Sequence, residues 1–304
     1  MRALTNRNPD QALAAGLALA FFGAIAFSGK AIIVKLAYRY GVDAVTLLML
    51  RMLFAMPIFA AMAWWASRGR SPLTRGDWLG VVGLGFTGYY FSSYLDFVGL
   101  QYVTASLERL ILYLNPTLVM LLGWFLYGRN IRRMHVVGMA VSYCGIFLVL
   151  GRELSFEGGQ VALGALLVFA STITYALYLV YSGQLVLRLG SLRLVGLATT
   201  VACVCCVAQF LVLRPLDTAL TVAPAVVWLS VLNAVLCTAL PVLMVMMAIE
   251  RIGPALAAQT GMVGPLSTII MGVLILGEPF TAWVAAGTAL VIAGIYLFSR
   301  AGKG

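Results

Sequence analysis

The sequence predicts an all-α integral membrane protein of ten transmembrane helices, built as two five-helix repeats of opposite topology. Three observations lead there. Of the 304 residues, 62% are apolar and 10% charged, with a mean hydropathy of +1.01; soluble domains run at roughly 45–50% apolar and about 25% charged. The apolar residues fall into ten runs of about 20, the length that crosses about 30 Å of hydrocarbon as helix. The chain also repeats itself. A shift of 149 lays residues 99–148 on 248–297 without a gap, bringing Pro116 onto Pro265, Gly123 onto Gly272, Gly128 onto Gly277, Gly138 onto Gly287 and Gly145 onto Gly294. The unit is therefore about 150 residues, dividing the chain into residues 1–150 and 151–304.

The ten spans are expected near 12–36, 44–66, 78–99, 103–126, 133–150, 160–182, 192–213, 224–248, 253–276 and 280–298. The first imitates a signal peptide, with Arg2 and Arg7 before an apolar run and Ala24-Ile25-Ala26 as a cleavage-like site. Its apolar run continues to Leu36 and its repeat partner lies mid-chain, so it reads as a retained helix. The third and sixth spans carry polar stripes at helical spacing: Gly83, Thr87, Tyr90 and Tyr94, then Ser171, Thr174, Tyr175, Tyr178 and Ser182. Weaker stripes are Ser230, Asn233 and Cys237 in the eighth, and Thr260, Gly264 and Ser267 in the ninth. Such stripes face a cavity or one another; the competing account is that Ser and Thr hydroxyls bond their own helix.

Pro57, Pro116, Pro241 and Pro265 lie inside spans, each removing a backbone hydrogen bond. Pro116 and Pro265 are repeat partners, so the fourth and ninth helices are expected to bend at matching depths and to supply hinges. The glycines of the fifth and tenth spans, seven apart, suggest close packing. All six tryptophans fall near span ends, as interfacial anchors. The five cysteines lie in apolar runs without metal-ligand spacing.

Positive charge sets the orientation. With the N-terminus inside, thirteen Lys and Arg side chains fall on the cytoplasmic side and four (Lys35, Arg39, Arg152 and Arg214) outside, which places both termini in the cytoplasm. The net charge of +10 thus belongs to the membrane topology and not to nucleic acid. Five helices per copy is an odd number, so the second copy enters the membrane inverted. Inverted repeats typify secondary transporters, with substrate near the midplane between the halves.

Charges inside the spans are the sharpest signal, at about 2.5–3.5 kcal/mol each on insertion scales. They are Lys30, Arg51, Asp96, Glu108 and Arg109, all toward the extracellular side of the first copy, with uncharged repeat partners. They are expected to form an extracellular gate or a ring that orients substrate; snorkelling with static ion pairs is the alternative.

The paired cores Leu114-Asn115-Pro116 and Val263-Gly264-Pro265, with the run Leu274-Ile275-Leu276-Gly277-Glu278-Pro279-Phe280-Thr281 ahead of Gly287 and Gly294, resemble the EamA repeat of the drug/metabolite transporter superfamily. The resemblance covers almost the whole chain. The first copy departs from it with Arg129 where the second has Glu278, so no catalytic role follows for that glutamate. The resemblance implies a ten-helix transporter whose third, fourth, eighth and ninth helices surround a central cavity with the first and sixth. Among the branches the chain looks most like the YddG-type exporters of aromatic and other neutral amino acids. A zwitterion needs an ammonium acceptor, a carboxylate donor and apolar walls; Tyr90, Tyr94, Tyr175, Tyr178, Asn233 and Gln259 are the candidates.

Two other cargoes compete. A proton-coupled cation exporter of the small four-helix kind needs a glutamate in its first helix, whereas this one has Lys30 and no acid between Asp10 and Asp43. A phosphorylated-metabolite exchanger would use Lys30, Arg51 and Arg109. An enzyme is not expected: the single histidine, His135, falls in a cytoplasmic loop, and no catalytic triad, metal motif or cofactor motif is present. The expected partners are a small-molecule substrate and the lipid bilayer, in the inner membrane of a bacterial cell. Oligomeric state is left open by the sequence.

Overall fold

The computed structural model describes residues 9–128, 133–157 and 159–301. Every described secondary-structure element is helical: α1 (Pro9–Tyr38), α2 (Ala44–Ser67), α3 (Arg75–Leu84), α4 (Ser92–Gly99), α5 (Ala105–Leu112), α6 (Asn115–Tyr127), α7 (Arg133–Glu157), α8 (Gly159–Leu189), α9 (Ser191–Leu213), the short α10 (Leu216–Leu220), α11 (Pro224–Ala234), α12 (Leu240–Thr260), α13 (Gly264–Met271) and α14 (Ala282–Ala301). Among the described residues, seven stretches are long and apolar enough to cross a membrane: Leu13–Tyr38, Ala44–Ser67, Ala105–Leu126, Arg133–Arg152, Gly159–Gly183, Ser191–Leu213 and Pro224–Ala248. Leu266–Leu276 and Ala282–Leu297 are shorter apolar helices. The expected third span falls outside both sets, because its glycines, serines and tyrosines and Asp96 dilute its hydropathy.

Several expected spans are not single α-helices. A π-helical turn, Gly85–Phe91, joins α3 to α4, and another, Val235–Ala239, joins α11 to α12. The 149-residue shift carries positions 86–90 onto 235–239, so the two turns are repeat partners. Each adds a residue to the local helical turn and rotates the face that follows. The second also prepares for Pro241: Thr238 donates its hydroxyl to the carbonyl of Asn233 at 2.8 Å, satisfying an acceptor that the altered ladder leaves open.

The expected fourth span breaks at Tyr113 and Leu114, and helix resumes with Pro116 in the first turn of α6, where its missing N–H costs nothing. Pro265 holds the same place in α13, after a 3-10 turn at Gly261–Val263. Helix also continues through residues 249–252, where a loop is expected between the eighth and ninth spans. α6 ends on Gly128 at φ 63°, and the π-helical Gly272–Leu276 ends on its repeat partner Gly277 at φ 73°. Only glycine adopts that left-handed backbone without strain.

The helices pack in pairs, chiefly α1 on α12, α2 on α9, α4 on α8 and α7 on α14. In the last pair the backbones nearly touch. A Cβ added at Gly145 would lie 2.6 Å from the Gly287 carbonyl, and one at Gly287 would lie 2.7 Å from the Gly145 carbonyl. These glycines are thereby occupied within the chain. The six tryptophans are all exposed on the outside, and Arg68 lies 3.6 Å over the ring of Trp64.

Candidate functional site

A cavity of about 380 Å³ opens among α1, α2, α4, the α5–α6 break, α8 and the π turns. That volume is roughly a dozen waters, room for one small metabolite. Gly88, Tyr89, Ser92, Ser93 and Asp96 line one wall, following the first π turn. Thr238 and Val242 line another, and the repeat shift relates them to Tyr89 and Ser93. The two copies thus contribute equivalent positions to one space. Phe27, Met52 and Phe59 add apolar surface, and Tyr113, Asn115 and Pro116 come from the break between α5 and α6.

The five charges expected inside the spans of the first copy converge here. Lys30, Arg51, Asp96 and Arg109 line the cavity, and Glu108 is fully buried beside them. Lys30 Nζ lies 2.6 Å from Asp96 Oδ2 and 3.4 Å from Glu108 Oε1. Arg109 donates from Nε to the Thr268 hydroxyl at 2.9 Å and from a terminal nitrogen to the Phe27 carbonyl at 3.5 Å, reaching from one copy to the other. Arg51 is only 4% exposed and sits 4.7 Å over the face of Phe97. Asp96 Oδ1, Glu108 Oε2, Asn115 Oδ1 and Arg51 Nε are buried without a hydrogen-bond partner among the described residues. Buried polar atoms left this way are costly unless something pairs with them, which makes them candidates for contact with a ligand.

Of the residues singled out in the sequence for substrate contact, Tyr175 lines the cavity. Tyr178 is buried one layer back, hydroxyl to hydroxyl with Tyr89 at 3.1 Å and stacked on Tyr175 at 5.5 Å between ring centroids. Tyr90 and Tyr94 pack instead against the apolar core formed by α1, α2 and α9. Asn233 is buried and donates to the Lys30 carbonyl at 3.5 Å. The side chains of Gln259 and Pro265, and all of Arg129, lie outside the described residues. Tyr89 and Tyr113, which the sequence places inside spans as candidates for a cavity wall, line it as well; periodicity at 3.6 passes over Tyr89 in favour of Thr87, Tyr90 and Tyr94, because the inserted residue of the π turn brings Tyr89, Ser92, Ser93 and Asp96 to the cavity. A run of three glycines and two tyrosines in Gly83–Tyr90 is the only hint of it. Many stripe hydroxyls simply close on their own helix, as Thr87 on Gly83, Thr174 on Ser171, Ser230 on Val226 and Ser267 on Gly264.

At one end the cavity region is closed by bonds between the copies. Glu278 receives the amides of Ala105 and Ser106, and Arg39 donates to the Leu276 carbonyl at 2.6 Å; at the depth of the cavity Ser28 donates to the Gly264 carbonyl at 2.8 Å. Outside them lies a wider hollow of about 720 Å³ bordered by Lys35, Tyr38, Asp43, Gln101 and Glu278. At the opposite end Arg188 pairs with Asp77 at 2.8 Å and Arg193 donates to Ser67 and to the Ser71 carbonyl.

The sequence profile of the EamA-like transporter family matches the chain twice, over residues 14–151 and 162–300. An uncharacterized transporter of Bacillus subtilis (strain 168), YcbK, is 32% identical over 278 residues, covering 87% of this chain and 86% of its own. An uncharacterized transporter of Archaeoglobus fulgidus is 23% identical over 272 residues, covering 89% and 92%. A solved crystal structure superposes with a TM-score of 0.65 at 18% identity, covering 93% of this chain and 98% of that one, which speaks for the fold alone.

Proposed function

Since the chain belongs to the EamA-like transporter family and is a membrane transporter of small molecules, we propose that it exports neutral amino acids, aromatic ones included, by alternating access. In this reading residues 1–150 and 151–304 are two five-helix halves inserted in opposite senses, ten transmembrane helices in all, with both termini in the cytoplasm of a bacterial cell. The cavity is the substrate site. The observation that carries the reading is its composition: one small space lined by repeat-equivalent positions, with tyrosine and phenylalanine walls and a cluster of both signs of charge.

The bonds made by Glu278 and Arg39 join the two copies at the expected extracellular end, those of Ser28 and Arg109 join them beside the cavity, and they must part for cargo to leave on that side. Lys30, Arg51, Asp96, Glu108 and Arg109 are then both the inner wall of that closure and the polar end of the site. Pro116 and Pro265, each opening a helix after a break, are the hinges about which the ends move. The YddG-type branch is the nearest functional analogy.

Flux of a labelled panel in proteoliposomes tests this: phenylalanine, leucine, threonine, a sugar phosphate and a quaternary cation, each with and without a pH gradient. Saturable movement of the neutral amino acids supports the proposal. Movement of only the cation or only the phosphate replaces it with one of the two competing cargoes.

A further inference from the structure

We propose that Arg51 is the seat of the cargo's carboxylate, so that the site recognises a small molecule by its carboxylate end and treats the ammonium end as dispensable. This deepens the amino-acid reading and rests on it. Arg51 lines the cavity from α2 and is 4% exposed, yet it makes no hydrogen bond or ion pair with any described residue. A buried guanidinium in that state has given up its water and gained only an aromatic face, that of Phe97.

The neighbouring charges are already engaged. Asp96 Oδ2 is held by Lys30, which also faces Glu108, and Arg109 is bonded to Thr268 and the Phe27 carbonyl. Both carboxylates face Lys30, and of the two arginines only Arg51 has no hydrogen-bond partner among the described residues. A guanidinium presents parallel N–H donors that match the two oxygens of a carboxylate.

A single carboxylate matches the one guanidinium fork that the cluster leaves without a partner. The ammonium of an amino acid finds acceptors in Asp96 Oδ1 and Asn115 Oδ1, both without partners. Nothing demands it, however, since Asp96 is already paired with Lys30.

The test uses the purified full chain in proteoliposomes, with competition against labelled leucine efflux by leucine, by leucinamide, which lacks the carboxylate, and by 2-hydroxyisocaproate, which lacks the ammonium. The hydroxy acid is expected to compete within about tenfold of leucine and the amide about a hundredfold or more weaker, as for a site whose buried donors are left unpaired by the wrong ligand. Equal competition by the amide overturns the assignment while leaving amino-acid transport standing. If leucine itself does not move, the cargo reading falls and the seat is tested by binding: thermal stabilisation of the detergent-purified protein by 2-hydroxyisocaproate but not by leucinamide supports it, and no stabilisation, or a stronger effect of glycerol phosphate, overturns it. Arg51→Gln separates a ligand seat from a structural brace. The variant is expected to melt no lower than the parent and to lose the discrimination between acid and amide; a clear drop in melting temperature makes Arg51 a brace and sinks the proposal.

Discussion

Glu278 caps a helix of the other sequence copy through Ser106: its Oε2 accepts the Ser106 hydroxyl at 2.7 Å and the Ser106 amide at 3.2 Å, while Oε1 accepts the Ala105 amide at 2.7 Å. The amides at a helix start have no partner within the helix and carry the positive end of its dipole, so a carboxylate there is doubly favourable. The capped helix, α5, carries Glu108 and Arg109 into the charge cluster. A residue of the second copy therefore fixes the register of charges that belong to the first.

Glu278→Gln keeps one acceptor oxygen and loses the charge. It is expected to destabilise the closed end by about 1–2 kcal/mol, with Ser106→Ala costing less because the two amide bonds remain. Melting temperatures in detergent and accessibility of a cysteine placed at Gln101 report the two effects, and an unchanged accessibility would remove Glu278 from the closure.

Tyr89 and Tyr90 are adjacent yet face different surroundings, the cavity and the apolar core. Tyr89→Phe removes the hydroxyl shared with Tyr178 and is expected to shift the apparent KM for export several-fold. Tyr90→Phe is expected to leave KM within twofold. Kinetics of the two variants in the same vesicle preparation decide the matter, and the reverse ranking would place the substrate elsewhere.

Breaking the Lys30–Asp96 pair removes the nearer of the two carboxylates around a buried ammonium. Asp96→Asn is expected to lower stability by about 3–5 kcal/mol, and Lys30→Met together with Asp96→Asn to recover most of it. Thermal melts of the single and double variants give the coupling. Lysine at position 96, a charge reversal, that still gave normal expression and normal flux would show the cluster to be neither gate nor brace.

Asp77 offers a pH test outside the spans. The Thr74 amide and then the Thr74 hydroxyl hold its carboxyl below the ordinary value, with Arg188 adding to them. A lowered folded pKa means the contribution is fully present above the unfolded value of about 3.9 and is lost as pH falls through the folded one. Asp77→Asn is thus expected to melt lower than the parent at pH 7, with the gap narrowing below about pH 4. A gap independent of pH would refute the carboxylate as its source.

Gly287→Leu forces a side chain where α7 and α14 leave room for none. Overpacking of this kind costs about 1–3 kcal/mol or more, and the variant is expected to express poorly, as size-exclusion profiles of a fluorescent fusion will show. A normal profile would mean that α14 stands off from α7 in the membrane.

The sequence by itself determined the medium, the duplication and the presence of five charges amid apolar runs, because hydropathy, repeat spacing and the cost of charge in hydrocarbon are properties of the chain that no tertiary contact alters. It also marked the glycine pairs of α7 and α14, whose small size has one common use in lipid. Which tyrosines face the cavity was decided only by tertiary structure, since a π turn moves the inward face by one residue and periodicity assumes an unbroken helix. Pairing within the charge cluster was likewise decided there. Lys30 lies 66 residues from Asp96, and the geometry that sets it against both carboxylates and leaves Arg51 without a hydrogen-bond partner among the described residues exists only once α1, α2, α4 and α5 have packed together.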